Sequence, residues 1–145
     1  MPWIYLTLDQ AIDVHQRTIE ASGGGELGQL DVAKLESVLQ HIQNDEYYPK
    51  FDQKLTHLFF CACKFHSFVD GNKRIAITLC AQMLLLNGYL GNVKAFIFES
   101  ENISYHVAAG NISKELLGEW VLAVLSGDTE NESLKLQIYN AIEQS

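Results

Sequence analysis

The sequence predicts an all-α protein, one domain of six to eight helices, on three grounds. Apolar residues recur at helical spacing along most of the chain. Side chains that start helices stand in front of those stretches, as at Thr7-Leu-Asp-Gln10, Ser113 and Thr129-Glu-Asn-Glu132. Gly and Asn close them, as at Ser22-Gly-Gly-Gly25 and Asn87-Gly88.

The elements follow in order. Gln10 can reach back to the N–H of Thr7, so a first helix opens there, turns Ala11, Ile12, Val14, His15 and Ile19 inward, and ends at the glycines. Asp31 caps a second helix bearing Val32, Leu35, Val38, Leu39 and Ile42. From His41 to Gln53 the chain is polar, holds Pro49 and lacks a helical period. It reads as a loop, with room for a short β-hairpin at Tyr47-Tyr48. Asp52 opens a third helix that passes through Leu55, Leu58, Phe59 and Ala62 to near Phe65. The helix from Asn72 to Asn87 is apolar on nearly all sides, so it should be buried on nearly all sides. The stretch from Gly91 to Glu99, rich in aromatic and β-branched residues, reads as a short strand or an extended linker. Helices over Ile103–Ala109, Ser113–Leu125 and about 130–143 complete the chain.

Composition narrows the function. With 145 residues, 48% hydrophobic and 19% charged, the chain can bury a proper core. A net charge of −8 excludes a general nucleic-acid binder, which needs a basic face. The only two arginines are Arg17 and Arg74, so any basic site is local and suits a small anion. Cys61, Cys63 and Cys80 are odd in number and lack chelating spacing, which predicts buried free thiols in a reducing compartment. The start, MPWIYLTLDQ, has no basic leader region and no segment reaches membrane-spanning length. The expectation is a cytoplasmic protein that binds neither nucleic acid nor membrane.

One stretch, FHSFVDGNKRIAITL from Phe65 to Leu79, carries chemistry. A first helical turn favours Asp or Glu, because its free N–H groups are partly positive. Here Lys73 and Arg74 stand in that turn. Gly71 and Asn72 can shape the turn so that those N–H groups converge on an anion. Asp70 is a hard oxygen ligand of the kind Mg²⁺ shares with phosphate. His66 can take a proton from a hydroxyl at neutral pH. Base, metal ligand, phosphate cradle and cations within nine residues describe phosphoryl or nucleotidyl transfer. Each has a plainer role singly: a structural His, a common Asp-Gly-Asn turn, a solvated Lys, an Arg74–Asp70 pair.

The nine residues His66-Ser-Phe-Val-Asp-Gly-Asn-Lys-Arg74 match the HxFx(D/E)GNxR signature, and the chain resembles the Fic/Doc family, with Lys73 pointing to its Doc, or death-on-curing, branch. The flanking stretches around 5–24, 30–39 and 106–121 are also similar to death-on-curing proteins, so the resemblance covers roughly residues 4–125 of a single 1–145 domain. It implies a Fic/Doc helical bundle whose enzymes modify hydroxyl groups of proteins with ATP, or another nucleoside triphosphate, and Mg²⁺. It places the general base on His66, the metal ligand on Asp70, the phosphate site on Gly71, Asn72, Lys73 and Arg74, and a buried anchor on Phe68. The loop at 41–53 takes the place of the flap that docks the target as an added strand.

AMP-transferring members usually carry Gly where this chain has Lys73, and a second arginine where it has Ile77. Both departures resemble Doc and favour phosphate transfer, with elongation factor Tu as the type of target and a separate antitoxin chain as partner. AMP transfer (AMPylation) through the same residues is the nearest alternative. A non-catalytic module that holds a nucleotide or partner is the alternative of another class. Ser126 to Asn131 fits the short (S/T)xxxE(G/N) string of self-inhibited relatives, but with Ile77 in place of the arginine such a glutamate pairs with, capping of the last helix by Thr129 and Glu132 is the preferred reading. His57 and Cys61, four apart, have metal-binding spacing without a second pair nearby.

Overall fold

In the computed structural model, α1 (Leu8–Ala21) begins as its capping box requires. The Thr7 N–H donates to Gln10 Oε1 at 3.0 Å, and the Gln10 N–H donates to Thr7 Oγ1 at 3.1 Å. The structure describes residues 3–21, 32–64, 72–128 and 130–143; of Ile19, Asn72 and Lys73 it describes the backbone alone. Seven helices account for most of these residues: α1, α2 (Val32–His41), α3 (Phe51–Cys63), α4 (Asn72–Leu86), α5 (Leu90–Ala108), α6 (Lys114–Ser126) and α7 (Glu132–Glu143). The described residues contain no strand, as an all-α Fic/Doc bundle requires.

Helix α4 lies at the centre, against α1, α3 and α5. Ile75, Ala76, Leu79, Cys80, Met83 and Leu84 are all buried, as a helix apolar on most sides must be. Helix α6 packs on α3 and α5, where Phe59, Phe96 and Trp120 meet with ring centroids 5.4–5.9 Å apart. The C-terminus of α4 also secures the chain ahead of α1. Asn87 accepts from the Ile4 N–H at 2.7 Å and donates to the Ile4 carbonyl at 2.9 Å and the Met83 carbonyl at 2.8 Å. Gly88 then turns the chain at φ 87°.

Four expectations are corrected. The strand or linker at 91–99 and the separate helix at 103–109 are one continuous helix, α5. Phe96, Ser100, Ile103, Ser104 and Val107 form one buried stripe along it, and that packing outweighs the local strand preference. No hairpin forms among the described residues of the 41–53 loop. The Asn44 side chain instead accepts from the N–H groups of Glu46 and Tyr47, at 2.9 and 3.4 Å, and closes a turn. Helix α3 starts at Phe51 rather than Asp52, with Gln53 Oε1 accepting from the Lys50 N–H at 3.0 Å. Val32, expected inside, is 42% exposed, while Leu35, Val38, Leu39 and Ile42 are buried.

Helix α6 is capped by Ser113, whose hydroxyl accepts from the Leu116 N–H at 3.1 Å, and ends at left-handed Gly127. The expected caps Thr129 and Asp31, like the glycines at 23–25, lie outside the described residues. Asn131 caps α7, its Oδ1 accepting from the Leu134 N–H at 3.0 Å. Glu130, the glutamate of the (S/T)xxxE(G/N) string, is paired with Lys135 at 2.6 Å. No disulfide joins Cys61, Cys63 and Cys80; Cys63 and Cys80 are buried and Cys61 is half-buried. No helix among the described residues is long and apolar enough to cross a membrane.

Candidate functional site

Two consecutive helices frame the signature. Helix α3 ends at Cys63 with Lys64 as its C-cap, and α4 begins at Asn72. The Cys80 thiol reaches the Leu55 carbonyl at 3.8 Å, one of the contacts that pack the two helices against each other. His66, Phe68, Asp70 and Gly71 lie outside the described residues, as do the side chains of Asn72 and Lys73. The fourth signature position with a charged side chain, Arg74, is described and exposed on the first turn of α4.

That turn has the electrostatic character the sequence suggested. Its N–H groups have no partners within the helix, it contains no Asp or Glu, and Arg74 adds a full positive charge. It is also held in place. Ile75 and Ala76, immediately behind it, are completely buried. One turn on, the Thr78 hydroxyl donates to the Arg74 carbonyl at 3.0 Å and lies 3.0 Å from the Thr18 hydroxyl of α1. Ile77 is half-buried and packs against the core.

The loop at 41–53 is tied to α3 by Lys54. Its fully buried ammonium donates to the Ile42 carbonyl at 2.8 Å and to Asp45 Oδ1 at 2.7 Å, and sits 5.5 Å from the Tyr5 ring centroid. Burial alone would depress its pKa, but the bonds to Asp45 and Tyr5 outweigh that and raise it.

Further along the loop lies a cluster with no local signal in the sequence. Tyr48 stacks on His57 of α3 at 4.6 Å, and Lys114 of α6 places its Nζ 2.9 Å from His57 Nδ1. Burial first, then the charges of Lys114 and His41, push His57 down to about 4, so at neutral pH it accepts the Lys114 hydrogen bond. The Cys61 sulfur is 3.5 Å from His57 Nε2, and burial raises the thiol's pKa despite Lys114. No group of three His, Cys, Asp or Glu among the described residues could hold a metal ion, so the His57–Cys61 spacing leads no further. Beside the cluster a cavity of about 500 Å³ runs between α3 and α6, lined by Tyr47, Tyr48, Thr56, Lys114, Gly118 and Leu122. His57 and Lys114 stand 57 positions apart, which is why no spacing rule links them.

The bundle fixes the start of its most buried helix, and that turn is free of acids and carries an exposed arginine, features compatible with an anion. The Fic/DOC family model matches residues 5–84, more than half of the chain, and the chain belongs to this family. No curated protein and no solved structure matches it. Fic/Doc proteins are in general transferases that use a nucleoside triphosphate with Mg²⁺. The described part of the site, the α4 N–H groups and Arg74, fits the phosphates of such a ligand.

Proposed function

We propose that this chain is a Doc-like toxin enzyme. It transfers a phosphate from a nucleoside triphosphate to a hydroxyl side chain of a target protein of the elongation factor Tu type, and a separate antitoxin chain restrains it. The observation that carries the reading is the signature from His66 to Arg74, with Lys73 in place of glycine and Ile77 in place of a second arginine. The half-buried, core-packed Ile77 supports it, because an apolar side chain stands where AMP transfer would use a second arginine.

His66 would accept the proton of the attacking hydroxyl as its oxygen bonds to phosphorus and the nucleoside diphosphate departs. The α4 amides, Asn72, Lys73 and Arg74 would hold the phosphate chain, Gly71 letting it approach the backbone and Phe68 anchoring the loop. Asp70 would supply an oxygen ligand to Mg²⁺, and the bound nucleotide with Mg²⁺ provides the transferable phosphoryl group. The loop at 41–53, tied down by Lys54, would dock the target segment.

The test combines the purified chain with Mg²⁺, elongation factor Tu and ATP labelled on the α or the γ phosphate. Label from the γ position, lost in His66→Ala while nucleotide still binds, is the expected result. Label from the α position would assign AMP transfer instead. A His66→Ala chain as toxic as the unmodified one would show that the protein acts by binding.

A further inference from the structure

Helix α5 turns Phe96, Ser100, Ile103, Ser104 and Val107 into the core and leaves apolar side chains on another face in water. Leu90 is 73% exposed, Ile97 48%, Phe98 86% and Tyr105 54%. Together with the exposed Lys94 and Glu101, these residues fall within about 100° of the helix circumference and extend along about 22 Å of its length. Leu90, Val93, Lys94, Ile97 and Phe98 border a shallow hollow of about 530 Å³. A continuous exposed apolar stripe of this kind is an interaction surface.

The order of residues in the stripe specifies the partner. Reflected through the point between Ile97 and Phe98, Leu90 falls on Tyr105, Lys94 falls on Glu101, and Ile97 falls on Phe98. Two copies of α5 laid antiparallel about a two-fold axis at that point therefore match apolar to apolar and cation to anion. A closed two-fold interface requires such self-complementarity, because every contact occurs twice. Lys94 and Glu101 form no ion pair with other described residues of their own chain. The net charge of −8 opposes association between copies in general, and the two Lys94–Glu101 pairs offset it at this face.

We propose that α5 is the contact helix of a homodimer, with two Ile97 and two Phe98 at its centre and two Lys94–Glu101 pairs on either side. Sedimentation velocity of the full chain across a concentration series tests this. A reversible dimer with a dissociation constant on the order of 10 μM is expected, as befits a small interface. Phe98→Glu should leave a monomer. Lys94→Glu should weaken the dimer by about tenfold or more, through like charges placed opposite each other twice. The double variant Lys94→Glu with Glu101→Lys should restore it. The side chains are exposed, so circular dichroism should be unchanged; if Phe98→Glu loses helix, Phe98→Ala replaces it, with about tenfold weakening expected. A wild-type chain that stays monomeric, a Phe98 variant that dimerises normally, or a charge swap as weak as its single variant would each overturn the proposal.

Discussion

Replacing Lys54 by methionine removes a cation whose side chain is fully buried, while its partner Asp45 is 79% exposed. That asymmetry fixes the expected energies. Methionine roughly keeps the volume, so no large cavity is left. The buried Ile42 carbonyl loses its donor, at a cost of about 1–3 kcal/mol, and the contact with Tyr5 is worth about 0.5–2 kcal/mol more. Against this, the ammonium no longer has to be desolvated, and Asp45 simply rehydrates. The net expectation is a loss of about 1–3 kcal/mol. Asp45→Ala acts on the other partner and leaves a buried charge poorly compensated, so it should cost at least as much, about 2–4 kcal/mol. Once Lys54 is methionine, Asp45 is a spectator, and the double variant should match Lys54→Met within about 0.5 kcal/mol. The Lys54 pKa is raised above its ordinary 10.5, so its contribution is complete below that value and fades only as the pH climbs through the raised one. The ranking should therefore hold at neutral pH, where urea unfolding followed by circular dichroism reads it. A double variant that loses the sum of the two single effects would refute the pinning argument.

Three further outcomes follow from other contacts. The lowered pKa of His57 means that its contribution to stability is complete above pH 6.5 and is lost as the pH falls toward about 4. The loss is at most about 3 kcal/mol and smaller for a ring partly in contact with solvent. An NMR titration of its ring should give a midpoint near 4, rising in Lys114→Met; a midpoint at or above 6 in the unmodified chain contradicts the buried cluster. Phe96→Ala should destabilise the fold by about 3–5 kcal/mol, because Phe59 and Trp120 close around a ring that is 0% exposed; a change below about 1 kcal/mol in chemical denaturation would place Phe96 outside the core. Asn131→Ala should cost about 1 kcal/mol in thermal unfolding through loss of the α7 cap, and an unchanged melting temperature would mean that another residue caps that helix.

Where local chemistry decides a feature, the sequence was informative. The Thr7–Gln10 box, the Ser113 cap, the Asn87-Gly88 stop and the burial of α4 need only neighbours a turn or two away. The acid-free start of α4 was legible for the same reason, since Lys73 and Arg74 are conspicuous in a turn that favours acids. Where long-range packing decides, it was not. Val-Lys-Ala-Phe-Ile-Phe at 93–98 has strand-like composition, and the buried stripe of α5, with Phe96 set against Phe59 and Trp120, favours helix there. Asn44 closes the 41–53 loop as a turn through two bonds that compete with a hairpin. Lys54 follows the polar pair Asp52-Gln53 in the sequence, and nothing nearby announces that Asp45 and Tyr5 engage it in the interior. The Tyr48–His57–Lys114 cluster joins three elements and has no sequence period at all.

The clasp between Asn87 and Ile4 also bears on chemical ageing. Asn followed by Gly is the pairing most open to deamidation, because an unhindered Gly nitrogen can attack the Asn side-chain carbonyl. Here Asn87 Oδ1 and Nδ2 are both engaged by Ile4, Nδ2 also by Met83, and the Gly88 N–H points at the Leu85 carbonyl at 3.4 Å. The attacking nitrogen and its target are thus held apart for as long as the N-terminal segment stays docked. Conversion to aspartate would put a negative oxygen against the Ile4 carbonyl and undo the clasp, so damage at this one amide loosens the segment that had shielded it. Acidic charge variants accumulating in a stored sample therefore act as a clock for how often that end of the molecule comes open.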